Sequence, residues 1–254
     1  DNRQKVIAML AARLHGIRDV QLEDIPAPAI QQDTDVLLRL RTVGVCGSDV
    51  HYYASGRIGS QVVAYPFTVG HECAATVEKT GAAVSNVSPG DRAVDPAVSC
   101  HTCDQCKAGR PHTCRNLRSL GCPGQLTGCL SEFMVMPAGC CFPIPENMTL
   151  EQAAISEPLS IGVYGVQRSI PMRNAKVGIL GAGPIGLSVM LAAKAEGADT
   201  VYVTDRRDYR CDAAGRHGAN ATANPDTGDV VGDFLEREPE GLDVVFECCG
   251  QQDA

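Results

Sequence analysis

A glycine-rich loop between a predicted strand and a predicted helix constrains the fold of this chain more than any other feature. The apolar run at 176–180 predicts a short strand, and residues 184–197 predict a helix that ends at a glycine. The loop between them, residues 181–186, is Gly-Ala-Gly-Pro-Ile-Gly. Strand and helix then keep alternating, an order that specifies a parallel sheet with right-handed crossovers. In this context the loop predicts a dinucleotide-binding βαβ unit.

Each glycine of the loop has a different physical task. Gly181 permits a tight turn, Gly183 lets the backbone approach a pyrophosphate, and Gly186 lets helix and strand pack closely. Pro184 and Ile185 open the helix, whose free N–H groups then face the phosphates. We expect all five residues to contact or shape the cofactor site.

The residue after the second predicted strand indicates which nucleotide is bound. Asp205 directly follows the apolar run 200–204. A carboxylate at this point accepts hydrogen bonds from the adenosine ribose hydroxyls and repels a 2′-phosphate, which favours NAD over NADP. Arg206 and Arg207 come next and would soften that preference if they faced the nucleotide. We expect NAD as the cofactor, with Asp205 and Arg206 at its site.

The sequence changes character near residue 155. Before that point, short β-rich runs alternate with turn signals such as Ser-Pro-Gly-Asp at 88–91, which predicts a barrel-like β domain with long functional loops. After it, four predicted strands alternate with helices. We therefore expect an α/β protein with one domain over residues 1–156 and a dinucleotide-binding domain over residues 157–254. Because a doubly wound sheet has about six strands, the chain is expected to be incomplete at its C-terminal side.

Charge and composition exclude several classes of function. A net charge of −8 argues against binding nucleic acid or anionic membranes by bulk attraction. No apolar run reaches the length of about 18 residues that a membrane span needs, and the first residues do not resemble a signal peptide. We expect a cytoplasmic protein without nucleic-acid or membrane partners. In that setting the thirteen cysteines indicate thiolate ligands rather than disulfides.

Four of the thirteen cysteines fall within fifteen residues, at Cys100, Cys103, Cys106 and Cys114. The spacing C-x2-C-x2-C-x7-C lets a tight loop wrap one metal ion. Four thiolates close a tetrahedral shell around zinc and leave no position open for substrate. An iron–sulfur cluster is the alternative, but the ferredoxin spacings differ from this one. We therefore expect a structural zinc site.

A second candidate metal site draws its residues from separate segments. A catalytic zinc needs three protein ligands and an open fourth position for water or substrate. Cys46 and His71 supply two of the ligands, and the third is a carboxylate, either Glu72 or Glu157. Taken singly, each residue has an ordinary alternative, since a lone buried cysteine usually serves packing.

Further short motifs stand in a fixed order along the chain. They are Cys-Gly-Ser-Asp-Val-His at 46–51, Gly-Arg-Ile-Gly at 56–59, Pro-Phe-Thr-Val-Gly-His-Glu at 66–72, Gly-Asp-Arg at 90–92, the four-cysteine loop and Ser-Glu-Pro-Leu-Ser at 156–160. Together they resemble the zinc-dependent medium-chain dehydrogenases, above all the polyol branch with its sorbitol and xylitol dehydrogenases. The resemblance covers essentially the whole chain. It implies a GroES-like β-rich catalytic domain followed by a doubly wound Rossmann sheet, truncated here.

The resemblance also implies a ligand set for the catalytic zinc. In the polyol branch the metal is held by Cys, His and Glu, which implies Cys46, His71 and Glu72 here. Glu157 then stands at the metal either directly or through the bound water. The expected metal content is one catalytic and one structural Zn²⁺.

The implied reaction transfers a hydride from a secondary alcohol of a polyol to NAD and leaves a ketose. Ser48 and His51, which follow the ligand cysteine closely, suggest a relay that removes the hydroxyl proton. By resemblance to the polyol branch, Tyr52 and Glu157 lie near the substrate hydroxyls, and Arg57 is a further candidate. A small polyol is therefore the expected partner, and a complete chain is expected to form a homodimer or homotetramer.

Two other interpretations stay open at this stage. One keeps the chemistry but changes the substrate to L-threonine or a simple alcohol. The other is a non-catalytic zinc- and nucleotide-binding relative, because the predicted sheet stops after four strands. One residue also departs from the family pattern: Ala75 stands where a glycine usually follows Gly-His-Glu, and it would be strained if the backbone there needed a positive φ.

Overall fold

The structure, a computed structural model, describes residues 8–94 and 97–250 of the chain. The chain divides into two compact units, Asp1–Glu157 and Pro158–Ala254. Each unit has a hydrophobic core of its own, as separate domains do. Within the described ranges, no helix has both the length and the apolar content needed to cross a lipid bilayer.

The first unit is built mainly from short strands. They are β1 (Ala8–Gly16), β2 (Asp19–Pro26), β3 (Asp35–Gly44), β4 (Arg57–Ile58), β5 (Gln61–Val62), β6 (Glu72–Thr80), β7 (Gly90–Val94), β8 (Ala97–Val98), β9 (Arg118–Ser119), β10 (Phe133–Pro137) and β11 (Cys141–Pro143). Its helices are α1 (Gly47–Ser55), α2 (Asp104–Lys107) and α3 (Leu150–Ala154), and α4 (Ser156–Gln167) begins in it. Five strands form one antiparallel sheet in the order β10-β3-β6-β7-β11.

One face of this sheet forms the core of the first unit. Val36 and Leu38 of β3 are fully buried, and so is Ala75 of β6, because alternate residues of a strand point to the same face. Ala75 pairs with Leu40 in the ladder and has no positive φ. The alanine at this position is therefore accommodated without backbone strain.

The second unit alternates strands and helices as the sequence predicts. Its strands are β12 (Lys176–Leu180), β13 (Thr200–Thr204), β14 (Ala221–Ala223) and β15 (Val244–Glu247), and its helices are α5 (Pro184–Ala195), α6 (Asp208–Arg216) and α7 (Val230–Arg237). The strands form a parallel sheet in the order β14-β13-β12-β15. This confirms the predicted α/β fold.

The two central strands of the parallel sheet carry the buried apolar residues. Val177 and Ile179 of β12 and Val201 and Val203 of β13 are almost inaccessible to solvent, which is typical of a sheet covered on both faces. Because β12 and β13 are parallel neighbours, their carboxyl ends lie at the same edge of the sheet. The residues that follow both strands are therefore brought together there.

Candidate functional site

The three ligand candidates of the first unit come from the ends of two paired strands. Gly44, the last residue of β3, pairs with Glu72, the first residue of β6. Cys46 follows β3 and caps α1, and His71 directly precedes β6. The ligand atoms of Cys46, His71 and Glu72 all lie within 4.8 Å of one another. The strand pairing thus converts three distant positions in the sequence into one cluster.

Gly44 leaves the space that the Glu72 carboxylate occupies. A Cβ added at Gly44 would collide with the Glu72 carboxylate oxygen Oε2. Glu72 is buried, and that burial raises the pKa of its carboxyl group above the usual range. A metal ion would add positive charge beside this buried carboxylate, to which the neighbouring His71 contributes in part.

Electrostatics at this cluster favour a cation. A hydrogen bond to Cys46 raises the pKa of His71 to about 9, and the nearby charges of Asp49, Cys46 and Glu157 act in the same direction. The groups around His71 therefore stabilise positive charge at this point. One sulfur, one nitrogen and one carboxylate oxygen match the donor types of a catalytic zinc site with an open position. The residues present fit a zinc ion.

Asp49 holds the two halves of the cluster together. Its Oδ2 accepts the backbone N–H of Cys46, and its Oδ1 accepts the backbone N–H of Gly70, both at 3.0 Å. Oδ1 also lies 3.8 Å from His71 Nδ1. The carboxylate is only 4% exposed. Groups in such positions orient metal ligands and tune their affinity.

The other predicted active-site residues lie on α1 and in the first turn of α4. Ser48, His51 and Tyr52 belong to α1, where Ser48 is half-buried, His51 is exposed and Tyr52 is buried. The Tyr52 hydroxyl donates to Gln61 Oε1 at 2.9 Å. Glu157 lies in the first turn of α4, and its charge contributes to the raised pKa of His71.

The four-cysteine loop forms a second thiol cluster in the same unit. The sulfur of Cys103 lies 3.5 Å from that of Cys106, and the sulfurs of Cys100 and Cys114 lie 3.4 Å apart. Four thiolates about 2.3 Å from a zinc ion would stand about 3.8 Å from each other, close to these separations. A hydrogen bond from Thr102 contributes most to lowering the pKa of Cys100, to about 5. Burial in turn raises the pKa of Cys106 to about 12, so the separations of the four sulfurs are what fit a closed zinc site.

The cysteines are available as ligands. All thirteen are free thiols. The sulfurs of Cys103 and Cys106 flank the start of the short helix α2, and an ion pair at 2.5 Å joins Asp104 of this helix to Arg115, just after the loop. Because the two charges are exposed, this pair contributes little stability alone. Its geometry connects α2 to the segment that follows Cys114.

In the second unit the glycine loop has the shape expected for a nucleotide. Gly181 adopts a φ of 99°, which favours glycine, and its N–H donates to Thr204 of the neighbouring strand at 2.8 Å. A Cβ added at Gly186 would collide with the Gly181 carbonyl. A Cβ at Gly183 would have Arg210 as its nearest neighbour, at 3.8 Å. The backbone at the start of α5 is therefore open to a ligand.

Asp205 lies at the same sheet edge as the glycine loop. Its carboxylate accepts the backbone N–H groups of Ala182 and Arg207, each at 2.9 Å, and lies 3.4 Å from Arg210 Nη1. Arg206 instead bonds Asp226, at 2.9 and 2.8 Å, and is largely exposed. The structure thus brings Asp205 to the loop and directs the Arg206 side chain elsewhere.

Comparison with known proteins shows the family. Residues 32–146 match the alcohol dehydrogenase GroES-like domain, and residues 184–254 match the zinc-binding dehydrogenase family. The chain is 38% identical over 244 residues to a sorbitol dehydrogenase of Bacillus subtilis, covering 95% of this chain and 69% of that protein. It is 36% identical to an L-idonate 5-dehydrogenase of Vitis vinifera, and the match covers 95% of this chain and 67% of that protein. The chain belongs to the zinc-dependent medium-chain dehydrogenases.

Solved structures of medium-chain dehydrogenases have the same fold. A zinc-binding dehydrogenase of Sinorhizobium meliloti, bound to NADP, superposes with a TM-score of 0.86 at 33% identity, over 97% of this chain and 71% of that one. The 2R,3R-butanediol dehydrogenase of Bacillus subtilis gives 0.82 at 32% identity, over 95% and 71%. These likenesses confirm the predicted combination of a GroES-like domain and a Rossmann-like parallel sheet.

Two residues near the candidate sites, Asp49 and Arg210, were not predicted from the sequence of this medium-chain dehydrogenase. Asp49 lies inside the Cys-Gly-Ser-Asp-Val-His motif, and its position three residues after Cys46 is a capping signal that could have identified it. Arg210 is separated from Asp205 by one turn, so that only the start of α6 brings it back to the loop. The spacing from a predicted helix start was the available signal for Arg210.

Proposed function

We propose that the protein is a zinc-dependent, NAD-linked polyol dehydrogenase that oxidises a secondary alcohol of its substrate to a ketone. The observation that carries the proposal is the cluster of Cys46, His71 and Glu72, whose ligand atoms lie within 4.8 Å of one another. The relatives named sorbitol dehydrogenase, from Bacillus subtilis and Arabidopsis thaliana, support a polyol as the substrate.

Cys46, His71 and Glu72 hold the catalytic zinc in this proposal, and Asp49 holds their backbone segments in register. When bound, zinc supplies Lewis-acid polarisation that makes a substrate hydroxyl more acidic. The buried Glu72 and the anionic surroundings of His71 favour the ion at this point. Glu157 stands beside the cluster and contributes negative charge.

Ser48 and His51 move the hydroxyl proton to solvent. They are three residues apart on α1, a spacing that places two side chains on one face of a helix. Ser48 is half-buried and His51 is exposed, so the pair leads from the interior to water. The Ser48 hydroxyl accepts the proton of the substrate and donates its own proton to the His51 imidazole. The imidazole then releases a proton to water.

The second unit binds the cofactor. The backbone at Gly183 and the N-terminus of α5 receive the pyrophosphate, and Asp205 accepts from the adenosine ribose hydroxyls. Arg210 lies beside both Gly183 and Asp205, whereas the Arg206 side chain bonds Asp226. When bound, NAD supplies the hydride acceptor. NAD is preferred because the Asp205 carboxylate would repel a 2′-phosphate.

Cys100, Cys103, Cys106 and Cys114 hold a structural zinc that orders their loop. Their shell has no open position, so this ion takes no part in the reaction. The homo-oligomeric assembly and the cytoplasmic location stay predictions, and light scattering and cell fractionation would test them.

The test combines metal analysis with an activity assay. The protein is expected to bind two zinc ions and to form NADH with sorbitol, xylitol or arabinitol, and to prefer NAD to NADP. His71→Ala is expected to lose one zinc and all turnover while the four-cysteine site keeps its metal. Turnover retained in His71→Ala would exclude this site. One zinc and no activity in the unaltered protein would favour a non-catalytic relative.

A further inference from the structure

Gln61 is a half-buried polar residue next to the candidate active site. It begins β5, pairs with Ile58 of β4, and is separated by two positions from Val63, which is buried in a cluster with Tyr52. Val62, between them, is 60% exposed. The Gln61 side chain reaches Tyr52, which belongs to that cluster, so it points to the interior. Its amide is therefore not an ordinary surface group.

Two donors use the oxygen of the Gln61 amide. The Tyr52 hydroxyl donates to Gln61 Oε1 at 2.9 Å, and the Cys122 thiol donates to the same oxygen at 3.7 Å. In this arrangement the oxygen of the amide faces Tyr52 and Cys122, and its nitrogen faces away from them.

The nitrogen of the same amide is left with two N–H groups to donate. Among the residues that the structure describes, none accepts a hydrogen bond from Gln61 Nε2. Half-buried amide donors are normally satisfied by protein, water or a ligand. An oriented amide whose donors have no protein acceptor has the form of a group that binds a ligand oxygen.

The position of Gln61 connects this amide to the metal cluster. Tyr52 lies on α1, the helix that Cys46 caps, and the charges of Asp49 and Cys46 both act on the Tyr52 hydroxyl. The Gln61 amide, which is bonded to that hydroxyl, therefore lies in the same part of the first unit as the cluster of Cys46, His71 and Glu72.

We propose that the Gln61 amide nitrogen donates a hydrogen bond to a substrate hydroxyl beyond the reacting carbon, with Tyr52 and Cys122 as positioning residues. This inference rests on the proposed function. It makes Gln61 a determinant of specificity, because a polyol carries such hydroxyls and a monohydric alcohol does not. A site that bonds a substrate hydroxyl discriminates against an analogue that lacks it.

The test replaces Gln61 by methionine, which keeps its length and lack of branching but removes the donors. For Gln61→Met, kcat/KM for xylitol and sorbitol is expected to fall roughly 3- to 10-fold, mainly through KM, which is the loss of one neutral hydrogen bond. The value for 2-butanol is expected to stay unchanged. Gln21→Met is the matched control, since Gln21 is exposed and its side-chain amide donates to Asp19.

The positioning role is tested by a double-mutant cycle. Tyr52→Phe removes the hydroxyl that orients Gln61, so it is expected to weaken xylitol binding in the unaltered protein and to add nothing in the Gln61→Met background. Equal additive losses in both backgrounds would show that Tyr52 acts independently and would overturn its positioning role. Zinc content and Tm of each variant show that the fold is intact.

Binding without turnover separates this inference from the proposed function. The rise in Tm produced by xylitol in zinc-loaded protein without NAD is expected to be smaller in Gln61→Met than in Gln21→Met. General stabilisation by a polyol affects both variants alike. A fall in kcat/KM for the polyols in Gln61→Met, with the value for 2-butanol unchanged, supports the inference. An equal fall for the polyols and 2-butanol, or no fall at all, overturns it. Failure of the unaltered protein to oxidise either alcohol would overturn the proposed function, whereas the Tm comparison would still decide on Gln61.

Discussion

The Asp49 carboxylate accepts the backbone N–H of Gly70 at 3.0 Å and so ties helix α1 to the residue before His71. Its other oxygen accepts the N–H of Cys46. One buried side chain therefore fixes the distance between two metal ligands that are 25 positions apart in the sequence. The pairing of strands β3 and β6 brings Cys46 and His71 close to each other, and the two hydrogen bonds of Asp49 fix the distance between their backbone segments.

Asp49→Ala is expected to lower the affinity of the catalytic zinc. Loss of a group that orients metal ligands typically costs roughly 10- to 100-fold in metal affinity. Competition with a chromophoric chelator would measure it, with the four-cysteine zinc as the internal control because Asp49 bonds Cys46 and Gly70 at the first site. Unchanged affinity at the first site would show that strand pairing alone positions the ligands.

Gly44→Ala is expected to disturb the same site from the opposite side. The added Cβ would collide with the Glu72 carboxylate, which must then move away from Cys46 and His71. Ligand geometry has a tolerance of about 0.5 Å, so we expect zinc affinity to fall at least about tenfold. Gly139→Ala is the matched control, since a Cβ there meets no atom within 4 Å. Zinc retained equally by both variants would exclude Glu72 as a ligand.

Gly186→Ala is expected to impair the cofactor loop. The new methyl would meet the Gly181 carbonyl, so α5 and the loop must separate, at a cost of about 1–3 kcal/mol. NADH binding, followed by the change in NADH fluorescence, should weaken while both zinc ions remain. Gly215→Ala on α6 is the control, because that position is open and alanine favours a helix. Similar behaviour of the two variants would contradict the close-packing role.

The parts of this protein that could be predicted from sequence are those whose chemistry is local. The spacing of Cys100, Cys103, Cys106 and Cys114 and the loop 181–186 each lie within about fifteen residues, so the pattern itself carries the site. The amide of Gln61 and the guanidinium of Arg210 depend on the partners that folding brings to them. Their neighbours Tyr52 and Asp205 were predicted, but nothing in the sequence indicates which way either side chain points.

Glu238→Gln is expected to destabilise the second unit in a pH-dependent way. Glu238 pairs with Lys176 and accepts from the buried Tyr202 hydroxyl at 2.7 Å, and Lys176 contributes most to holding its pKa below the usual range. A lowered carboxyl pKa stabilises the fold above the unfolded value of about 4.3, and that stabilisation is lost as the pH falls through the folded pKa.

The difference between the unaltered protein and Glu238→Gln should therefore be largest near neutral pH and shrink on acidification. Urea unfolding followed at pH 7 and pH 4 would measure it. Glu236→Gln, an exposed neighbour on α7, should show no such trend. A pH-independent difference would mean that the charge of Glu238 contributes nothing.

Arg210 and Arg206 provide a matched pair for the nucleotide site. Arg210 lies beside Asp205 and Gly183, so Arg210→Ala is expected to raise the KM for NAD roughly 3- to 10-fold, the effect of one lost hydrogen bond. Arg206 is held by Asp226 at the surface, so Arg206→Ala should change the KM by less than about twofold. The reverse order, with Arg206→Ala the more damaging, would show that Arg206 leaves Asp226 when the nucleotide binds, as the adjacency of Arg206 to Asp205 in the sequence predicts.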